Sequence, residues 1–187
     1  MNPTEMTAVE LVAAYGAREL SPVEVTQAVL DRIDEVDGEI NAMCLVDPDS
    51  ALAQARESEA RWQAGTPKGL LDGVPTSMKD IFLTKGWPTL RGSKAIDPDQ
   101  PWEVDAPVTA RLRADGMVIV GKNTTPELAW KGVTDSPLTG VTRNPVDTRM
   151  TAGQARRLAC EAAIIPAVLG TDSQPLDLGR ADRKSVV

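Results

Sequence analysis

The chain has 187 residues, of which 42% are hydrophobic and 25% charged, as is typical of a globular protein with a sizeable core. Its net charge of −7 and pI near 4.7 argue against nucleic acid or an anionic membrane as a partner, because an acidic surface repels phosphates. The chain contains no histidine, which excludes a Ser-His-Asp triad, a Cys-His pair and a histidine-ligated zinc site.

The first two predicted helices cover residues 7–20 and 21–37. Thr7 stands three residues before Glu10, which is the spacing of a capping box. Ser21 is a suitable N-cap for the second helix, because a proline follows it at the first helical position. Apolar residues at helical spacing in the second stretch predict one buried stripe.

Glycines mark where these helices are expected to end. Gly38 closes the second helix, and Gly65 closes a third predicted helix over residues 49–65. Asp49 or Ser50 is the expected N-cap of that third helix. Together the three helices predict a helical layer at the amino terminus.

The pattern then changes to that of a sheet. Residues 79–86, KDIFLTKG, form a short apolar stretch that predicts a buried strand. Residues 105–130 read as a helix, a glycine turn and a strand over 117–120, which is half of a βαβ unit. The predicted fold class is α/β, with the amino-terminal helices packed on part of a mixed sheet.

The two cysteines, Cys44 and Cys160, lie far apart and have neither disulfide-framework nor metal-ligand spacing. A reducing, cytoplasmic location is therefore expected, with no bound metal. No stretch approaches the roughly 18 apolar residues that a membrane-spanning helix needs. A membrane is accordingly not an expected partner.

Lys79 allows two interpretations. In a partly buried site the pKa of a lysine falls, so the lysine can serve as a general base for a serine hydroxyl. Ser77 and Asp80 are its neighbours in sequence. The alternative is an exposed charge at the end of an edge strand, loosely paired with Asp80. Residue type alone does not decide between them.

Four blocks in series resemble the amidase signature family, and they suggest the bacterial amidases more than the amidotransferase A subunit. The similarity extends over residues 5–173, and the blocks are GLLDGVPTSMKDIFLTKGWPTLRGS, DAPVTARLRADGMVIVGKNTTPELAW, GVTRNPVD and IIPAVLGTDS. The resemblance implies an α/β fold and hydrolysis of small carboxylic amides by a Ser, cis-Ser, Lys triad without metal or cofactor. Lys79 matches the triad lysine, Lys122 and Asn123 are implied supports of the site, and the oxyanion loop is implied at Gly170, Thr171, Asp172 and Ser173.

The sequence departs from the family pattern at both serine positions. Residues 151–158 contain no serine, so the bridging position is lost near Ala155-Arg156. The position of the nucleophile holds Leu176. Because such triads act as a unit, we expect this chain to be inactive as it stands.

Residues 1–173 are interpreted as the amino-terminal part of an amidase-signature domain, and residues 174–187 as a divergent, disordered tail. A shifted reading frame or a damaged gene would explain departures that are confined to two blocks. The alternative is a non-catalytic pseudo-enzyme that docks on a partner, such as an intact paralogue or a second copy. An amidotransferase component that passes ammonia to a partner would need the same two serines.

Overall fold

The computed structural model describes residues 2–145 and 147–152, together with the backbone of residues 167–169. Within these ranges the chain forms four α-helices, six β-strands and two short 3-10 helices. The helices are α1 (Ala8–Ala17), α2 (Pro22–Ile40), α3 (Pro48–Ala64) and α4 (Pro107–Asp115), and the 3-10 helices are Pro3–Glu5 and Glu127–Ala129. The strands are β1 (Met43–Val46), β2 (Pro75–Lys79), β3 (Val118–Asn123), β4 (Asp135–Ser136), β5 (Gly140–Val141) and β6 (Ala167–Leu169).

The first two helices begin where the sequence predicts. The Thr7 hydroxyl accepts the N–H of Glu10 at 3.3 Å, and the Glu10 carboxylate accepts the N–H of Thr7 at 2.7 Å. Ser21 and Glu24 make the same reciprocal pair at the start of α2, at 3.1 and 2.8 Å. Each capping box satisfies N–H groups that have no partner within the helix.

Three of the predicted helix boundaries are wrong. Helix α1 ends at Ala17 instead of residue 20, because Arg18 takes the left-handed conformation. Helix α2 continues through Gly38 to Ile40, because Ile40 is buried in the core and Asn41 takes the left-handed conformation that ends the helix. Helix α3 begins at Pro48, with Asp47 as its N-cap rather than Asp49 or Ser50. Gly65 ends α3 as predicted.

The main sheet has four strands in the order β1-β3-β2-β6. Strand β1 runs antiparallel to β3, whereas β2 runs parallel to both β3 and β6. This mixed sheet, with helices packed on it, confirms the predicted α/β class. The strand predicted over residues 79–86 lies earlier, at Pro75–Lys79, because the chain turns once Phe82 donates its N–H to the carbonyl of Lys79.

The core lies on both faces of this sheet. On one face, Val118 and Val120 of β3 pack with α2 and α3, where Val29 and Ile33 supply the predicted apolar stripe. On the other face, Met78 and Ile119 pack with Trp87. Among the described residues, no helix is both long and apolar enough to cross a membrane.

Candidate active site

The candidate site lies where three parallel strands end. Lys79, the last residue of β2, pairs with Asn123, the last residue of β3. On the other side of β2, Met78 pairs with Leu169, the last residue of β6. In open α/β sheets, ligands bind outside the carboxyl ends of such strands.

Lys79 is buried at this edge, with 6% of its surface exposed. Because β2 lies between β3 and β6, the alternative of an exposed lysine on an edge strand is wrong. Ser77 is two residues earlier on the same strand, so its side chain shares a face with that of Lys79. The Ser77 hydroxyl donates to Oδ1 of Asn123, and Nδ2 of Asn123 donates to Sδ of Met43 at 3.2 Å.

An irregularity in the pairing of β2 with β3 decides which way the next side chains face. Thr76 pairs with Ile119, but the following residue, Ser77, pairs with Gly121, so β3 carries one extra residue. This bulge places Lys122 opposite Met78. Since neighbouring residues of a strand alternate between faces, Lys79 and Lys122 lie on opposite faces of the sheet.

Lys122 is fully buried, with none of its surface exposed, and its ammonium has an acceptor for each of its three N–H bonds. These acceptors are Oδ1 of Asp80 at 2.8 Å, the carbonyl oxygen of Pro88 at 2.8 Å and the hydroxyl of Thr89 at 2.6 Å. Burial lowers the pKa of Lys122 below its ordinary value, and the Asp80 carboxylate opposes that shift. The pair therefore holds the loop after β2 against the sheet.

Asp80 has a different partner from the one that the sequence suggested. The alternative interpretation paired Asp80 loosely with Lys79, whereas the structure gives its carboxylate a buried ion pair with Lys122. The other carboxylate oxygen of Asp80 accepts the N–H of Gly92 at 3.4 Å. No local signal could have identified this pair, because it depends on the bulge in β3.

Buried threonines bring a later segment of the chain beside the same edge. Thr124 follows β3 directly, and its hydroxyl is 2.7 Å from that of Thr142. Thr142 also donates its hydroxyl to the carbonyl of Asn41 at 2.8 Å and accepts the N–H of Ala152 at 2.9 Å. The segment expected to carry the bridging serine, 151–158, therefore begins close to the end of β3.

Most of the other predicted site residues lie outside the described part of the chain. These are Ala155, Arg156, Gly170, Thr171, Asp172, Ser173 and Leu176. Gly170 follows Leu169 directly in sequence, and Leu169 is the end of the strand beside β2. Among the described residues, no group of three or more His, Cys, Asp or Glu side chains could hold a metal ion.

Comparisons with known proteins agree with this architecture. A family profile described as Amidase matches residues 24–155. The glutamyl-tRNA(Gln) amidotransferase A subunit of Thermobifida fusca (strain YX) is 45% identical over 168 residues, covering 89% of this chain and 34% of that protein. The chain thus spans about a third of the length of the curated relatives it matches.

Solved structures give the same result. A vestigial protein complex, described as revealing the evolutionary origins of an s-triazine catabolic enzyme, matches 89% of this chain and 37% of that one, with a TM-score of 0.85 and 32% identity. A bacterial aryl acylamidase of the amidase signature family matches 87% of this chain and 34% of its own chain. The TM-score is 0.82 and the sequence identity is 29%. The matching amidotransferase A subunits are more identical to this chain, at 39–45%, than the aryl acylamidase is, at 29%, so the comparisons do not support the predicted nearer affinity to the bacterial amidases. The extent of the family match nevertheless shows that the chain belongs to the amidase signature family.

Proposed function

We propose that this chain carries the lysine of an amide-hydrolysing centre, with Lys79 as the residue that accepts a proton. One observation supports this above all others: Lys79 is buried at the carboxyl end of an interior parallel strand, next to the end of β6. A lysine in such a place can act as a base without histidine, and the chain contains none. The substrate class is a small carboxylic amide, which hydrolysis converts into a carboxylate and ammonia or an amine.

The proposed chemistry needs two hydroxyl groups besides the lysine. Neutral Lys79 takes a proton through a bridging serine from a nucleophilic serine, whose oxygen attacks the amide carbonyl. The C–N bond then breaks, the proton passes back to the leaving nitrogen, and ammonia or an amine departs from the acyl-enzyme. Backbone N–H groups of the loop at residues 170–173 would stabilise the oxyanion. Water then attacks the acyl-enzyme and releases the carboxylate.

We further propose that this chain does not complete that reaction by itself. Leu176 has no hydroxyl with which to attack a carbonyl, and residues 151–158 include no serine to relay the proton. Pro175, two residues after that loop, also lacks a backbone N–H that could help to stabilise the oxyanion. Loss of single members of such a catalytic unit lowers rates by several orders of magnitude.

The test is to incubate the purified chain with an aliphatic and an aromatic amide, measuring ammonia or amine release, and with a fluorophosphonate probe that labels active serines. We expect neither turnover nor labelling, while an active family member run in parallel gives both. Turnover by the wild-type chain that survives in Lys94→Met but disappears in Lys79→Met would overturn the proposed inactivity and support the lysine assignment. Turnover that survives in Lys79→Met would overturn both.

The lysine assignment also has a readout that does not depend on activity. Titration of ¹³Cε-labelled lysine by NMR follows each ammonium separately, and the assignment requires Lys79 to lose its proton at a lower pH than the exposed Lys94. A chain without activity that forms dimers in size-exclusion chromatography with light scattering would instead favour the alternative of a non-catalytic protein that docks on a second copy.

A further inference from the structure

We propose that Lys122 is a positioning residue that acts on Lys79 through Asp80. Lys122 neutralises the Asp80 carboxylate on the face of the sheet opposite to Lys79. In this arrangement Asp80 does not stabilise the protonated form of its neighbour in sequence. The inference rests on the proposed function, in which Lys79 must lose its proton in order to accept another.

The contacts of Lys122 leave it no other role at this edge. Its side chain is completely buried, and all three N–H donors are taken by Asp80, Pro88 and Thr89. A lysine whose donors are satisfied within the protein has none left for a substrate. The ammonium therefore acts through Asp80 and through the loop that carries the other two acceptors.

Asp80 needs such a counter-ion because it is buried and directly follows Lys79 in the chain. Its backbone N–H donates to the carbonyl of Asn123 at 2.9 Å, which extends the pairing of β2 and β3 by one residue. The carboxylate is thereby fixed immediately after Lys79, with 3% of the residue exposed. A buried carboxylate directly after Lys79 in the chain, without its own cation, would favour the charged form of Lys79.

Other ionisable groups surround the same strand ends. Asp37 lies near the end of α2, where its carboxylate accepts the N–H groups of Ala42 and Met43. Cys44 lies on β1, and Arg91 lies in the loop after β2. Asp37, Cys44 and Arg91 stay unchanged when Lys122 or Asp80 is replaced, so differences in the Lys79 titration midpoint between those variants report on Lys122 and Asp80.

The experiment is a pH titration of ¹³Cε-labelled lysine by NMR, with Lys79→Arg used to assign the Lys79 signal among the seven lysines. In Lys122→Met the buried carboxylate has lost its cation, so we expect the titration midpoint of Lys79 to rise by about one pH unit. In Asp80→Asn the lysine on the far face has lost its anion, so the midpoint is expected to fall. The double variant removes both charges and should return the midpoint towards that of the wild type.

A purely structural role for Lys122 would not produce opposite shifts that cancel. An unchanged midpoint in Lys122→Met, or equal shifts in both single variants, would overturn the inference. Near-ultraviolet circular dichroism shows whether Lys122→Met folds. If it does not, the inference is decided by whether the Lys79 titration midpoint falls in Asp80→Asn and returns in the double variant. A wild-type Lys79 that titrates together with exposed Lys94 would refute the proposed function itself, which distinguishes the two failures.

Discussion

Single buried residues determine how this chain responds to pH, and Tyr15 is the clearest example. Its side chain is 2% exposed, and its hydroxyl donates to the carbonyl oxygen of Gly73 at 3.2 Å. Burial raises the pKa of the phenol well above its ordinary value near 10, and the nearby negative charge of Asp72 raises it further. Folding therefore holds this hydroxyl in its neutral form.

The stability that Tyr15 contributes is expected to be constant below pH 10 and to fall above it. Above that pH the unfolded chain releases the phenolic proton while the folded chain retains it, so protons favour the folded state. Because Tyr15 is the only tyrosine, absorbance at 295 nm should show tyrosinate only together with unfolding. Tyr15→Phe is the control, and its urea-unfolding free energy should decline less between pH 9 and 11. Tyrosinate formation in the folded wild type would contradict the prediction.

At the scale of secondary-structure elements, the surroundings of a glycine decide whether it ends a helix. Gly38 lies inside α2 with helical backbone angles, and a Cβ added there would meet no atom within 4 Å. Gly116 follows α4 with a φ of +90°, and a Cβ there would overlap the carboxylate of Asp72. The same residue type therefore continues one helix and ends another.

We expect Gly38→Ala to raise the free energy of unfolding by about 0.5–1 kcal/mol, because alanine restricts the unfolded chain and suits a helix interior. Gly116→Ala should lower the free energy of unfolding, since alanine is strained at positive φ and the site has no room for its methyl group. Urea denaturation of both variants and the wild type measures the difference. A destabilised Gly38→Ala would show that the end of α2 is not helical in solution.

At the scale of the whole molecule, an ion pair joins the helical layer to the sheet at the end away from the candidate site. Asp72 precedes β2 and is fully buried, and its carboxylate accepts Nε and Nη2 of Arg61 in α3 at 2.8 and 2.6 Å. The N–H of Lys68 donates to the same carboxylate at 2.8 Å. Burial alone would raise the pKa of Asp72, but these donors outweigh burial and hold that pKa below its ordinary value.

Replacing Arg61 with methionine should lower the free energy of unfolding by about 2 kcal/mol at pH 7, because the Asp72 carboxylate would stay buried without its cation. In the wild type, the contribution of Asp72 is present above its unfolded pKa near 3.8 and is lost as the pH falls through the lower folded value. The destabilisation caused by Arg61→Met should therefore shrink in acid. Arg56→Met on the exposed side of α3 is the matched control, and an equal loss in both variants would contradict the role of the pair.

The family membership and the starts of the first two helices could be predicted from the sequence, because both rest on local patterns. The capping boxes at Thr7 and Ser21 need residues only three positions apart, and the block around Lys79 is a contiguous stretch of sequence. The limits of β2 were missed, because a strand ends where its neighbours stop pairing with it. The burial of Ile40 likewise overrides the local preference of Gly38 to end α2.

What the sequence by itself determined is the residue types available for chemistry: a lysine without any histidine, and no serine at the two positions where the family pattern requires one. Only the tertiary structure decided that Lys79 is buried and that Asp80 pairs with Lys122 instead. The physical reason is the bulge in β3, which sets the face on which each later side chain lies. Its position follows from pairing between strands far apart in the chain, and no short stretch of sequence encodes that pairing.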